Sequence, residues 1–222
     1  MRRLLSLAVL AGGCVLLAAE AAAQTQPPVD TRFSFDLMAG SVKPGAAQEV
    51  GVGTQGFGIQ VNGSVTAFRY LAVSLDLGIL GLKDERPFEE NTTDGEKRSS
   101  IDGGMYSLAA GLRTPSLALG GPTGPRLSAG VNGGVTGLDM DRTITECVDC
   151  TNENLSLRAG TFVEPALHLT FGRGGLSARL RMYNSESDFG ELVMIGYSYG
   201  VGSRYAKAPE VPNVPEAPAG SR

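Results

Sequence analysis

From Glu191 to Tyr205 the side chains alternate. Val193, Ile195, Tyr197, Tyr199, Val201 and Tyr205 share one face, and Gly196, Ser198, Gly200, Gly202 and Arg204 the other. A period of two is the signature of an extended strand with two different environments on its faces, and a helix cannot produce it. The pattern recurs along the chain. Residues 155–171 set Leu157, Val163, Leu167 and Leu169 against Arg158, Glu164 and His168, and residues 176–183 set Leu176, Leu180 and Met182 against Ser177, Arg179 and Arg181. Residues 31–39, 57–67 and 71–81 alternate likewise, and 105–113 and 127–138 do so through a glycine-rich background. The count is eight strands, each close to the ten or so residues that a tilted strand needs to cross a bilayer. Pro165 lacks a ladder donor, so a bulge is expected there.

The connections alternate too. Residues 40–55, 83–100 and 139–154 are long and polar or glycine-rich, whereas the connections between them, 68–70, 114–125 and 172–175, are mostly short, and only the short last outer loop, 185–190, departs from the trend. Long loops on one side and short turns on the other are typical of an outer-membrane barrel, with the short turns in the periplasm. A soluble barrel would alternate in the same way with its faces reversed. Lysine is absent from every strand, however, and the polar face is rich in glycine and serine, as a narrow lumen requires. The expected architecture is therefore all-β: an eight-stranded antiparallel up-and-down transmembrane barrel with both mature termini in the periplasm.

The chain ends agree. Arg2 and Arg3, the apolar run from Leu4 to Leu17 and Ala21-Ala22-Ala23 form the three parts of a secretory signal peptide, placing residues 1–23 outside the fold. Residues 24–205 are read as the barrel. Residues 206–222 are read as a disordered periplasmic tail, in which Pro209, Pro212, Pro215 and Pro218 recur at the polyproline II period. Without Arg2, Arg3 and Glu20, 17 basic and 22 acidic side chains remain, a net charge of −5 that argues against nucleic acid as a partner.

The strand count, the glycine-rich lumen positions and the terminal run Ile195-Gly196-Tyr197-Ser198-Tyr199-Gly200-Val201 resemble the OmpA-type outer-membrane β-barrel family. The resemblance implies a cell outer-membrane location of the Gram-negative type. It also implies lipid and lipopolysaccharide neighbours, and recognition of the last strand by the barrel-assembly machinery.

With the apolar face outward, Asp36, Asp76, Arg113, Arg158, Glu164, His168, Arg179 and Arg181 point into the lumen. An eight-stranded barrel is just wide enough for side chains to fill. Confined charges must pair, so a side-chain plug is expected ahead of a narrow porin-like channel. Counting across a four-residue turn at 172–175 sets His168 opposite Arg179 and Ala166 opposite Arg181. Glu164 is then diagonal to Arg181, and Gly196 faces Arg179.

His168 is the sole histidine, and His168-Leu169-Thr170 is similar to the His-x-Ser pair of an outer-membrane lipid A deacylase family with Thr in the Ser place. A lone lumen histidine makes a lipid-modifying enzyme the third reading, and no catalytic activity, cofactor or metal is expected. Cys147 and Cys150, in a long loop beside Glu146 and Asp149, suit a small disulfide better than a zinc or redox site. Ten charged residues of both signs in 83–100 read as a solvated outer loop. The extracellular ligand is not encoded in any motif. A structural or surface-interaction role is the leading expectation.

Overall fold

The computed structural model describes residues 29–68, 70–85, 98–121, 124–145 and 152–201. The expected signal peptide, the proline-rich tail, Cys147, Cys150 and most of the charged loop lie outside the described residues. Ten strands form: β1 (Val29–Val42), β2 (Val52–Ala67), β3 (Leu71–Asp84), β4 (Arg98–Arg113), β5 (Leu117–Ala118), β6 (Arg126–Thr145), β7 (Glu153–Leu155), β8 (Gly160–Phe171), β9 (Gly174–Tyr183) and β10 (Phe189–Val201). Among the described residues one short helix, α1 (Pro44–Val50), joins β1 to β2. Its proline opens the first turn, and Gly51 at φ 70° closes the last by donating its N–H to the Ala47 carbonyl.

The eight long strands close into an antiparallel barrel. The ring runs β1-β2-β3-β4-β6-β8-β9-β10, and β10 pairs back with β1 from Thr31↔Val201 to Val42↔Phe189. Closure gives each of the eight long strands a hydrogen-bonded neighbour on both sides. No helix among the described residues is long and apolar enough to cross a membrane.

The outward face carries an apolar belt. On β3 it presents Leu71, Val73, Leu75, Leu77 and Ile79, each at least 45% exposed. Phe33, Phe35 and Leu37 continue it on β1, Tyr106 and Leu108 on β4, and Ile195, Tyr197 and Tyr199 on β10. Burial on the inward face of β3 shows the complement, with Ala72, Ser74 and Asp76 buried. A continuous greasy exterior around a polar interior is the surface of a barrel whose surroundings are hydrocarbon.

Above the belt the arrangement inverts. The inward face of β3 becomes Leu80 and Leu82, and its outward face reaches exposed Lys83. On β4, Ile101 points in and Asp102 out; on β6, Met140 points in and Asp139 out. Val42, Ala47 of α1, Val52, Leu80, Leu82, Ile101, Met140, Leu155, Leu157 and Phe189 form one buried apolar cluster inside this end. The barrel thus continues past the belt as a neck with a polar outside and an apolar inside. β6, with 20 residues, is the longest wall. At about 3.3 Å per residue and a tilt near 40° such a strand rises roughly 50 Å, about twice the height of an apolar belt.

Several sequence expectations change here. Residues 40–55 and 139–154 are not open loops, since β1, β6, β7 and α1 occupy much of them. Residues 155–171 are not one strand. The chain leaves the ladder after Leu155 and re-enters at Gly160, whose φ of 152° suits glycine. The inward parity switches across this break, from Leu155 and Leu157 to Phe162 and Glu164. Arg158, expected in the lumen, is therefore exposed, and its backbone N–H donates to Asp188 Oδ2 at 2.6 Å. The ladder keeps one register on both sides of Pro165, so no bulge forms there.

Candidate functional site

The β8–β9 connection sets the register of the charged lumen. The turn is two residues long, with Gly172 at φ 60° in its first position, so Phe171 pairs with Gly174 rather than with Leu176. Every partner moves by two. Ala166 faces Arg179 and His168 faces Ser177, correcting the expected pairings with Arg181 and Arg179. Glu164 is brought opposite Arg181 rather than diagonal to it, between the pairs Val163↔Met182 and Ala166↔Arg179.

Five of the eight expected lumen charges converge in one tier. Asp36 comes from β1, Asp76 from β3, Glu164 from β8, and Arg179 and Arg181 from β9. All five are buried. Arg179 reaches Asp36 at 2.5 Å, Asp76 at 3.0 Å and Glu164 at 3.4 Å. Arg181 reaches Asp76 at 2.6 Å and Glu164 at 2.7 Å, and its Nη1 donates to Ser107 Oγ at 2.6 Å. The Phe162 ring lies 4.0 Å from its guanidinium carbon. Asp76 is the hub, because Gln60 and Asn62 of β2 also donate to its Oδ1 at 2.9 and 2.7 Å. Each acid occupies the confined space between two guanidiniums or beside one. Hydrogen bonds this numerous offset the desolvation of such charges, although Arg179 Nε and Gln60 Oε1 are buried without a partner.

Gly196 has a different role from the one expected. Met194, not Gly196, faces Arg179, and Gly196 faces Asp36 on β1. A Cβ at Gly196 would lie 2.0 Å from Asp36 Oδ1 and 2.3 Å from the Phe35 carbonyl oxygen. The missing side chain makes room for the carboxylate.

Arg113 and His168 stand apart from this tier, nearer the end where Val29 and Val201 lie. Arg113 Nη2 is 2.9 Å from His168 Nε2. Arg32 joins them at this end, bound to Asp30 at 2.7 Å. Between the charged tier and the neck, Met38, Met105, Leu192 and Met194 fill the lumen.

Two cationic residues that sequence reasoning did not single out tie the neck together. Arg142 on β6 is 2% exposed. It pairs with Asp84 at 2.9 Å and Glu153 at 2.7 Å, and donates to the carbonyls of Val50 and Gly51 at 2.8 and 3.2 Å. One guanidinium thus fastens β3, β7 and the C-terminal end of α1 to β6, and its charge suits the carbonyl end of a helix. Lys43 donates to the carbonyls of Asn184, Ser185 and Ser187 in the β9–β10 connection. Extending the even parity of β6 past Leu138 through Met140 would have found Arg142.

No family model matches the sequence, and no curated protein matches it. Solved structures resemble the fold. The Neisserial surface protein A (NspA) has 9% identity and a TM-score of 0.40, with 79% of this chain and 97% of that chain covered. Ail, the attachment invasion locus protein of Yersinia pestis, has 11% identity and a TM-score of 0.39, with 78% and 97% covered. Ail in complex with the heparin analogue sucrose octasulfate has 12% identity and a TM-score of 0.38, with 78% and 97% covered. The architecture itself rests on the closed ladder of strand pairs.

Proposed function

We propose that this chain is an outer-membrane barrel with a side-chain-plugged lumen, periplasmic termini and a non-catalytic, surface-interaction role. The observation that carries the reading is the pair of opposite interiors on one set of strands. A polar lumen ringed by exposed apolar side chains becomes an apolar core ringed by polar ones. A strand changes its inward polarity in this way where its outer surroundings change from hydrocarbon to water. The neck then stands outside the bilayer as a rigid platform for the loops at that end.

The plug is supported by the occupancy of the lumen. The ion-pair tier, the methionine layer and the apolar neck core follow one another along it. A narrow porin-like channel would need a polar path through the neck, where Leu80, Leu82, Ile101 and Met140 pack together and Arg142 is held by Asp84 and Glu153. The lipid-modifying reading has less support. His168 shares Nε2 with Arg113, and Glu164 is committed to Arg179 and Arg181. Planar-bilayer recording tests the plug, with no resolvable conductance steps expected. Stable unitary currents would transfer the assignment to a channel. Tags in the loop at 86–97 should be detected on intact cells and a tag after Arg222 should not. The reverse pattern would overturn the orientation.

A further inference from the structure

The two charged regions of the lumen are composed differently. In the middle tier each guanidinium faces carboxylates at ion-pair distance. At the end near Val29 and Val201, Asp30 is engaged by Arg32 through Oδ2, while its Oδ1 is buried without a hydrogen-bond partner opposite Thr66. Arg113 has an imidazole instead, with Nη2 2.9 Å from His168 Nε2. Among the described residues no carboxylate stands within ion-pair distance of Arg113. Arginine has donors only, so Nε2 must accept and the ring is neutral with its proton on Nδ1. The contact therefore orients the guanidinium without neutralising it. Arg32 and Arg179 lie nearby, but Arg32 is held by Asp30 and Arg179 by Asp36, Asp76 and Glu164.

The surrounding wall is suited to an anion. Thr66, Ser128, Thr170 and Ser198 are buried, inward-facing hydroxyls of this half of the lumen. Thr66 is 5% exposed, and its Oγ1 is buried with no hydrogen-bond partner. Arg113 itself is half-buried. A cation held in a confined site by a neutral acceptor attracts a mobile counter-charge, and the guanidinium fork matches paired oxygens better than a spherical ion.

We propose that this end of the lumen is a binding site for a small oxyanion of the phosphate or carboxylate type. Arg113 is its charged anchor, and His168 sets the orientation of the fork. The site is independent of whether the barrel conducts and of what the neck binds.

The full chain, folded in a maltoside detergent, provides the test. Thermal midpoints are measured by the gel shift of folded barrel with inorganic phosphate, with acetate and with chloride at equal ionic strength. Phosphate or acetate should raise the midpoint saturably, by about 3–6 °C at roughly ten times its Kd, and chloride should not. Arg113→Met should abolish the shift, while Lys83→Gln, at the far end and facing outward, should keep it. Should Arg113→Met fail to fold, the imidazole nitrogen resonances of His168 in the unsubstituted protein give the second readout. They should move with added phosphate or acetate and stay still with chloride. Equal midpoints in all three salts with unmoved imidazole resonances would overturn the proposal. So would a phosphate or acetate shift that survives Arg113→Met.

Discussion

The belt and the neck are built from the same strands and obey opposite rules. On β3, Leu77 and Ile79 face outward at 57% exposure while Asp76 is buried; just beyond, Leu80 is buried and Lys83 faces out. The backbone alternation runs through without a break. Strand geometry therefore fixes only that successive side chains part company. The even positions of β3 turn inward throughout, and it is the kind of residue placed on each face that changes with the medium outside, hydrocarbon at Leu77 and water at Lys83. The interiors follow suit. Where the exterior is greasy the lumen holds the ion-pair tier, and where the exterior is polar the interior holds the apolar core with Arg142 and Asp84 paired beside it.

Substitutions can break this contrast. The largest effect should come from Asp76→Ala, which leaves Arg179, Arg181, Gln60 and Asn62 short of their shared acceptor. A loss of about 3–5 kcal/mol is expected in urea unfolding of the barrel in vesicles. Glu164→Ala should cost slightly less, since Arg181 keeps Asp76. Adding Arg181→Ala should recover part of that loss, and strict additivity would mean that the two are uncoupled.

Leu75→Arg places a charge on the outward face beside Asp76. It should cost about 2–4 kcal/mol in vesicles if that face meets the middle of a bilayer. A cost under half a kcal/mol would mean that water reaches it. Met140→Ala tests the neck from inside, where large-to-small truncation of a buried side chain should cost about 2–3 kcal/mol. Its effect should be the same in vesicles and in detergent, because the neck does not touch either. The smallest change should be Asp102→Asn. Asp102 is exposed and sits opposite Asp141 on β6, so removing one like charge should stabilise the neck by no more than about 0.5 kcal/mol.

Much of the barrel is legible from alternation alone. The strands around Phe35, Val61, Leu75 and Tyr197 declare themselves, because one face is uniformly apolar over their whole membrane stretch. Asp36, Asp76, Glu164, Arg179 and Arg181 can be assigned to the lumen by parity, since a charge on the lipid face would be costly. What parity cannot supply is register. Gly172-Arg173-Gly174-Gly175 is compatible with a two- or a four-residue turn, and the choice decides whether Arg179 or Arg181 meets Ala166. Parity also fails where the medium changes. Leu155 and Leu157 are as apolar as Leu167, yet they face inward because they lie in the neck. Arg158 is displaced to the surface with them. Arg142 goes unrecognised because Asp139 and Asp141 give its segment the look of a solvated loop.

The central claim is that the exterior passes from lipid to water between Ile79 and Lys83. Single spin labels at positions 75, 77, 79, 81 and 83, with Cys14, Cys147 and Cys150 replaced by serine, can be read in vesicles. Collision with oxygen and with a water-soluble nickel reagent reports the surroundings of each label. The account predicts that labels at 75, 77 and 79 favour oxygen and that the label at 83 favours nickel, with the crossover between them. Labels that favour nickel at every one of these positions would contradict it, and would make the chain a water-soluble barrel.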